Sequence, residues 1–285
     1  MKVLKLGQLI HIHPLFFLLA FSAFLTGAIY EFIILFTIVA IHEMGHFCAA
    51  RYYGWRVSHI EFWLLGGAVV SDEHTTRPIR EQVYVTLAGP FQHIWIFIIL
   101  QALNLTIGPH PLLSAGFTYN SVILLLNLLP IWPLDGGKLL FYTICQYMCF
   151  KSSLKLSLII SISCLIIGLS WMIFSGRMTL ASTMLAGFLL LENRLEWKRQ
   201  IYVFMRYIVH CLERDVSQLK VRYFTVDPHT TAFDVIKNVR TNRHHLYILK
   251  QKPGLYIVDE QECLHQFLMK KQSSIKLKDI SNMSR

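Results

Sequence analysis

Residues 32–50 read FIILFTIVAIHEMGHFCAA, an apolar run from Phe32 to Ala50 that contains His42, Glu43 and His46. About 20 mostly apolar residues cross roughly 30 Å of hydrocarbon as a helix. Ionisable side chains inside such a run are costly and mark function. On a helix, positions four apart share a face, so His42 and His46 point the same way and Glu43 stands offset beside them. Two imidazoles on one face suit a metal ion, and the adjacent carboxylate suits a water bound to it. A catalytic Zn²⁺ takes three protein ligands and leaves its fourth position open. The third ligand must therefore come from elsewhere in the chain at the same depth. Asp135, in the stretch NLLPIWPLDGG from Asn127 to Gly137, ends another apolar run. Pro130 and Pro133 break that helix, and the irregular backbone they free is tolerated only where protein or water surrounds it. Gly136 and Gly137 then let the chain turn tightly under Asp135. The plainer alternative is that Asp135 caps a helix or opens a loop.

Working outward, five more apolar runs appear: Pro14–Tyr30, Val83–Ile107, Phe117–Leu134, Leu156–Phe174 and the shorter Leu180–Leu191. With 54% hydrophobic and 15% charged residues in 285, the chain reads as a polytopic α-helical membrane protein of about six transmembrane helices. That composition excludes a disordered or collagen-like chain. The six scattered cysteines exclude a disulfide-stapled secreted scaffold and read as reduced, inert thiols. Residues 1–30 compete as a signal peptide, but no small-x-small cleavage site closes them, so they are taken as a retained first helix. Lys2, Lys5, Arg51, Arg56, Arg77, Arg80, Lys138, Lys151 and Lys155 fall on one side of the six runs and only Arg177 on the other. This asymmetry places both termini in the cytoplasm.

Composition shifts at Trp197. Before it stand 11 basic and 9 acidic residues, and from it onward 16 and 8. The expected organisation is a membrane domain over 1–196, a basic linker over 197–222 and a small cytoplasmic α/β domain over 223–285. In the last, Tyr223–Val226, His245–Leu249 and Leu255–Val258 read as strands. A Pro253-Gly254 turn joins the last two, and Thr231–Arg240 and Gln261–Met269 read as helices. The β-α-β-β-α order, with Val226-x-Pro228-x-Thr230 ahead of a helix, resembles a cystathionine-β-synthase (CBS) module. That resemblance implies pairing between chains in a homo-oligomer and an adenine nucleotide such as ATP as ligand. The other reading is an α/β cap without ligand. No nucleic-acid-binding pattern accompanies the basic tail, so anionic lipid or an acidic protein explains its charge, and nucleic acid is not an expected partner.

The helix-borne H-E-x-x-H followed by N-x-x-P-x-x-P-x-D-G resembles the site-2 protease family of intramembrane zinc metalloproteases, over roughly Phe32–Lys138. Leu65-Gly66-Gly67-Ala68-Val69 and Leu87-Ala88-Gly89-Pro90 are further similar pieces. Two departures stand out: Trp132 where relatives often carry a second adjacent proline, and His93 where an asparagine is common. The resemblance implies a zinc endopeptidase cutting a membrane-associated protein in or near the membrane. The sites are then one Zn²⁺ per chain on His42, His46 and Asp135, with Glu43 as base. A short membrane part with a trailing module is most similar to the sporulation branch of the family. That likeness implies a sigma-factor precursor, pro-sigma-K, as substrate and inhibitory membrane partner proteins. It also implies a bacterial cell membrane location, in the membrane around the forespore and facing the mother cell.

Other residues bear on substrate. Asn127 is the candidate neutral donor to a developing oxyanion, although an asparagine in a bundle is more often helix glue. Ile60–Leu65 and Ala68–Val70 are strand-like around Gly66 and Gly67, and such an edge could take an extended peptide by β-addition. The alternative there is a hairpin that only packs the bundle. His11, His13, His59, His74, His244 and His245 read as surface or interfacial histidines, and His93, beside Gln92, as a hydrogen-bonder within the bundle. A rival from another class is a CBS-regulated membrane metal transporter with the same ligands. Transporters tend to show inverted repeats and broken helices in matching halves, and no internal repeat is visible.

Overall fold

Apolar runs free of charge become long helices in the computed structural model, which describes residues 10–12, 14–63, 66–71, 76–214, 216, 220–241, 243–251, 254–269 and 275–283. In chain order the elements are β1 (Ile10–Ile12), α1 (Pro14–Leu25), α2 (Ile29–Tyr52), β2 (Val57–Trp63), β3 (Gly66–Ser71), α3 (Ile79–Ile107), α4 (Pro111–Leu128) and α5 (Asp135–Tyr147). They continue with α6 (Phe150–Phe174), α7 (Leu180–Glu213), β4 (Lys220–Val226), α8 (Ala232–Ile236), β5 (Arg243–Gln251), β6 (Gly254–Asp259), α9 (Glu260–Met269) and α10 (Leu277–Met283). Among the described residues α2, α3, α4 and α6 are long and apolar enough to cross a membrane. The other two expected spans differ. α1 has 12 residues, about 18 Å of helix against roughly 30 Å of hydrocarbon. The run Leu180–Leu191 is the opening of a 34-residue helix that continues into polar sequence.

Packing divides the chain into two units, residues 1–139 with 164–190 and residues 140–163 with 191–285. In the first, α2, α3 and α4 pack together beside a three-stranded sheet ordered β1-β2-β3. Glycine stops two of the apolar helices. Gly54 (φ +70°) closes α2 with bonds from Gly54 to the Arg51 carbonyl and from Trp55 to that of Ala50. Gly176 (φ +64°) closes α6 in the same pattern. This left-handed cap is available to glycine without a Cβ penalty. β1 pairs parallel to β2, and β2 pairs antiparallel to β3 with Phe62 opposite Gly67 and Trp63 opposite Gly66. The two glycines expected at the turn thus lie inside a strand. β1 was not expected at all, because three residues ahead of a helix carry no alternation to read. Lys2, Lys5, His13, Leu64, Leu65, His74 and Pro253 lie outside the described residues.

In the second unit, the stretch expected as a linker is helical through Glu213. Phe150 stacks on Tyr207 with ring centroids 3.9 Å apart and planes at 3°, beside the buried Leu154, Phe204, Ile208 and Cys211. The tail carries strands and helices in the expected β-α-β-β-α order, with α10 added. β4 runs parallel to β5, and β5 antiparallel to β6. Ala232, Val235, Cys263, Leu277 and Ile280, from α8, α9 and α10, cover one sheet face formed by Tyr247, Leu249 and Val258. All six cysteines are free, and burial pushes the Cys263 thiol up to about 12, which makes it inert at neutral pH.

The end of α7 is clasped to the tail by one side chain. Arg214 donates to the Thr241 carbonyl (3.1 Å), the Arg243 carbonyl (2.9 Å) and Glu260 Oε1 (2.9 Å), while Glu260 Oε2 accepts from the backbone and ring of His245. Breaking a buried ion pair by removing one partner costs about 3–5 kcal/mol, because the other charge is left uncompensated. Arg214→Met should therefore destabilise the tail by that order and lower its unfolding midpoint, and adding Glu260→Gln should recover part of the loss. Equal midpoints for Arg214→Met and the parent protein would show that the clasp contributes nothing.

Candidate metal centre

The centre is assembled from three helices. α2 supplies His42, Glu43 and His46, α3 lies across them, and α5 begins at Asp135. All four side chains are buried. His42 Nε2 and His46 Nε2 are 3.1 Å apart, and Asp135 Oδ2 lies 3.2 Å from the first and 3.0 Å from the second. The far side of each ring is occupied. His46 Nδ1 is 2.8 Å from the Val85 carbonyl oxygen, which can only accept, so the proton sits on Nδ1 and leaves Nε2 bare. His42 Nδ1 is 3.1 Å from His93 Nε2. Asp135 Oδ1 accepts from Lys138 Nζ at 3.2 Å. Its buried Oδ2 has no hydrogen-bond donor among the described residues.

Two lone-pair nitrogens and a carboxylate oxygen thus face one another in a buried site. Without a cation among them they repel, since burial weakens solvent screening. Zn²⁺ bonds of roughly 2.0–2.1 Å at tetrahedral angles place ligand atoms about 3.3 Å apart, close to the three observed edges. The donor set and its orphaned oxygen fit a divalent metal ion.

Glycines let the backbones approach this closely. A Cβ on Gly89 would lie 2.3 Å from His46 Nε2 and 2.9 Å from His42 Cε1, and one on Gly45 would meet the Ala88 carbonyl oxygen at 2.5 Å. A Cβ on Gly67 would lie 2.5 Å from Glu43 Cγ, so β3 runs directly against the carboxylate side chain. Gly136 and Gly137 serve close packing rather than the expected tight turn. Neither has positive φ, but a Cβ on Gly136 would meet the Leu128 and Leu129 carbonyl oxygens at 2.3 Å. Leu129, ahead of Pro130, is extended (φ −62°, ψ 140°) and ends α4, as expected for a residue before proline. Pro130 and Pro133 lie in the short connection from there to Asp135. Asn127, near the end of α4, donates one amide hydrogen to the Ile123 carbonyl one turn back, at 3.1 Å.

The centre also recruits residues that sequence reading passed over as site members, namely Gly45, His93 and Asn120. Their sequence signal is faint. A buried polar group in an apolar run is its only trace for the last two, and a small residue on a helix face for the first.

Residues 30–115 match the profile of Peptidase family M50. Stage IV sporulation protein FB of Bacillus subtilis is 32% identical over 98% of this chain and 98% of its own length. A zinc metalloprotease of Methanocaldococcus jannaschii is 33% identical over 113 residues, 38% of this chain and 32% of that one. Among solved structures, a site-2 protease from Methanocaldococcus jannaschii shares the fold. Its TM-score is 0.52 at 24% identity, over 69% of this chain and 94% of that chain. Resemblance at this level favours a peptidase over a transporter. The chain belongs to Peptidase family M50, the site-2 proteases, and is a multi-pass membrane zinc metalloprotease.

Proposed function

We propose that His42, His46 and Asp135 hold one Zn²⁺ per chain and that Glu43 is the general base of peptide-bond hydrolysis within or beside the membrane. The observation that carries this reading is the donor-free Asp135 Oδ2 aimed at two imidazole nitrogens about 3 Å away. The metal, when bound, supplies a Lewis acid that polarises the scissile carbonyl and acidifies water. Glu43, one position from His42 on the same helix, takes the proton of the attacking water and returns it to the leaving amine. Lys138 occupies Asp135 Oδ1 and so keeps Oδ2 directed at the imidazoles. β3, pressed on Glu43 at Gly67, is the strand beside which an extended substrate would lie, and Gly66 continues it. In the sheet order its second edge has no strand partner among the described residues, which is the condition for β-addition.

Similarity along nearly the whole length to a sporulation protein supports a membrane-associated sigma-factor precursor, pro-sigma-K, as substrate. It equally supports inhibitory membrane partners and residence in the membrane around the forespore, while the Lys and Arg asymmetry of the short loops supports both termini in the cytoplasm. For the tail, residues 223–285 read as a CBS-like module that pairs with a second chain and takes ATP or another adenine nucleotide. The support is the second face of its sheet. Val221 and Tyr223 of β4 and Ile257 of β6 are 49%, 60% and 59% exposed, on the side opposite the helix-covered core.

Glu43→Gln keeps the shape of the side chain and removes the base. Cleavage of a membrane-tethered substrate should fall about 10²–10⁴-fold with bound zinc unchanged by metal analysis. Cleavage at the parental rate would remove Glu43 from the mechanism. Asp135→Asn should cost more zinc affinity than the roughly 10–100-fold typical of an outer-shell partner, and activity with it. Retention of both metal and activity would place the third ligand elsewhere. Light scattering of the full chain in detergent should give an oligomer that Tyr223→Lys dissociates and ATP modulates. A monomer indifferent to ATP at millimolar concentration would end the pairing and nucleotide readings.

A further inference from the structure

His93 and Asn120 are both fully buried, at 0% exposure, and neither is charged or shares a helix with the candidate ligands. Asn120 Nδ2 donates to the His93 backbone carbonyl at 3.1 Å. Only the amide nitrogen can donate to a carbonyl, so the orientation of the Asn120 side chain is settled and its Oδ1 faces His93 Nδ1 at 2.6 Å. An amide oxygen only accepts, so His93 carries its proton on Nδ1 and presents a bare Nε2. That bare nitrogen lies 3.1 Å from His42 Nδ1. His42 must therefore donate from Nδ1, which leaves the lone pair of its Nε2 directed at Asp135 Oδ2 and His46 Nε2.

The two histidines of α2 thus reach the same tautomer by different routes. His46 uses a backbone carbonyl of α3, that of Val85. His42 uses a relay of neutral side chains through α3 to α4. Resting on the metal-centre reading above, we propose that His93, oriented by Asn120, is a positioning residue. It holds His42 in the tautomer and rotamer that metal binding requires. Partners of this kind, accepting from the non-ligating ring nitrogen, typically change metal affinity 10–100-fold when lost. A neutral relay also avoids burying a further carboxylate at membrane depth, where charge is costly.

The test measures zinc affinity of the full-length protein in detergent, by competition with a chelator, alongside thermal unfolding of the zinc-free protein. His93→Phe keeps ring volume and removes the acceptor, and Asn120→Leu removes the group that orients it. Each should weaken zinc binding about 10–100-fold. His93→Gln, whose amide oxygen can still accept from His42, should hold zinc within a few-fold of the parent. Parental zinc affinity in His93→Phe and Asn120→Leu overturns the relay. So does a His93→Gln variant that loses as much affinity as His93→Phe, with zinc-free unfolding lowered equally in both, because the role is then packing alone. Should His93→Phe fail to fold, Asn120→Leu decides by the same measurement. His42→Ala separates the two readings. If it leaves zinc binding intact the metal centre itself is misassigned, and if it abolishes binding while His93→Phe does not, only the relay fails.

Discussion

Three electron-pair donors, two imidazole nitrogens and a carboxylate oxygen, sit within 3.0–3.2 Å of one another in a buried site. Such a cluster is repulsive unless a cation joins it, and much of the surrounding architecture serves to hold it together regardless. Each donor is fixed from behind: His46 by Val85, His42 by His93, and Asp135 by Lys138. These bonds to the rear leave the front atoms no alternative partner. Polar groups that would otherwise find hydrogen bonds within a bundle are thus kept available for a metal.

Close approach of backbones is the second condition. Gly45 and Gly89 stand where α2 and α3 cross, and Gly136 where the start of α5 presses on the end of α4. Glycine inside a helix is destabilising by roughly 0.5–1 kcal/mol relative to alanine, so three such positions around one site mark a geometric demand that outweighs helix propensity. Backbone packing consequently places Asp135, and the Lys138 bond to its Oδ1 sets the direction of the other oxygen. One of its oxygens can therefore remain without a donor.

How legible this was depends on the kind of signal. His42, Glu43 and His46 were readable because helical spacing alone puts the two histidines on one face with Glu43 offset beside them, and ionisable groups in an apolar run are conspicuous. Asp135 was readable because prolines and glycines isolate it at the end of a run. The long helices followed from length and apolarity. What escaped reading depended on contacts between distant segments. Nothing local in Asn120 says that it faces His93. The pairing of β1 with β2 and the seating of Gly67 on Glu43 are likewise tertiary facts. The stretch after Trp197 is helical through Glu213 because its charges alternate with apolar residues. Helix α7 buries Phe204, Tyr207 and Ile208 there while its charged positions lie elsewhere on its surface.

The end of α7 is part of how the tail is held. A flexible linker would let a cytoplasmic module move freely and communicate only by mass action at the membrane surface. Here the end of α7 is instead tied to the tail by the Arg214 clasp. Rotation of the tail must then either break three hydrogen bonds to one guanidinium or carry the end of the helix with it. Arginine suits this position because its planar fork serves two carbonyls and a carboxylate at once, which a lysine point charge cannot do with the same rigidity. The sheet face left open at Val221, Tyr223 and Ile257 belongs to the body that Arg214 locks to α7. Whatever covers that face is therefore linked to the end of α7 through that one side chain.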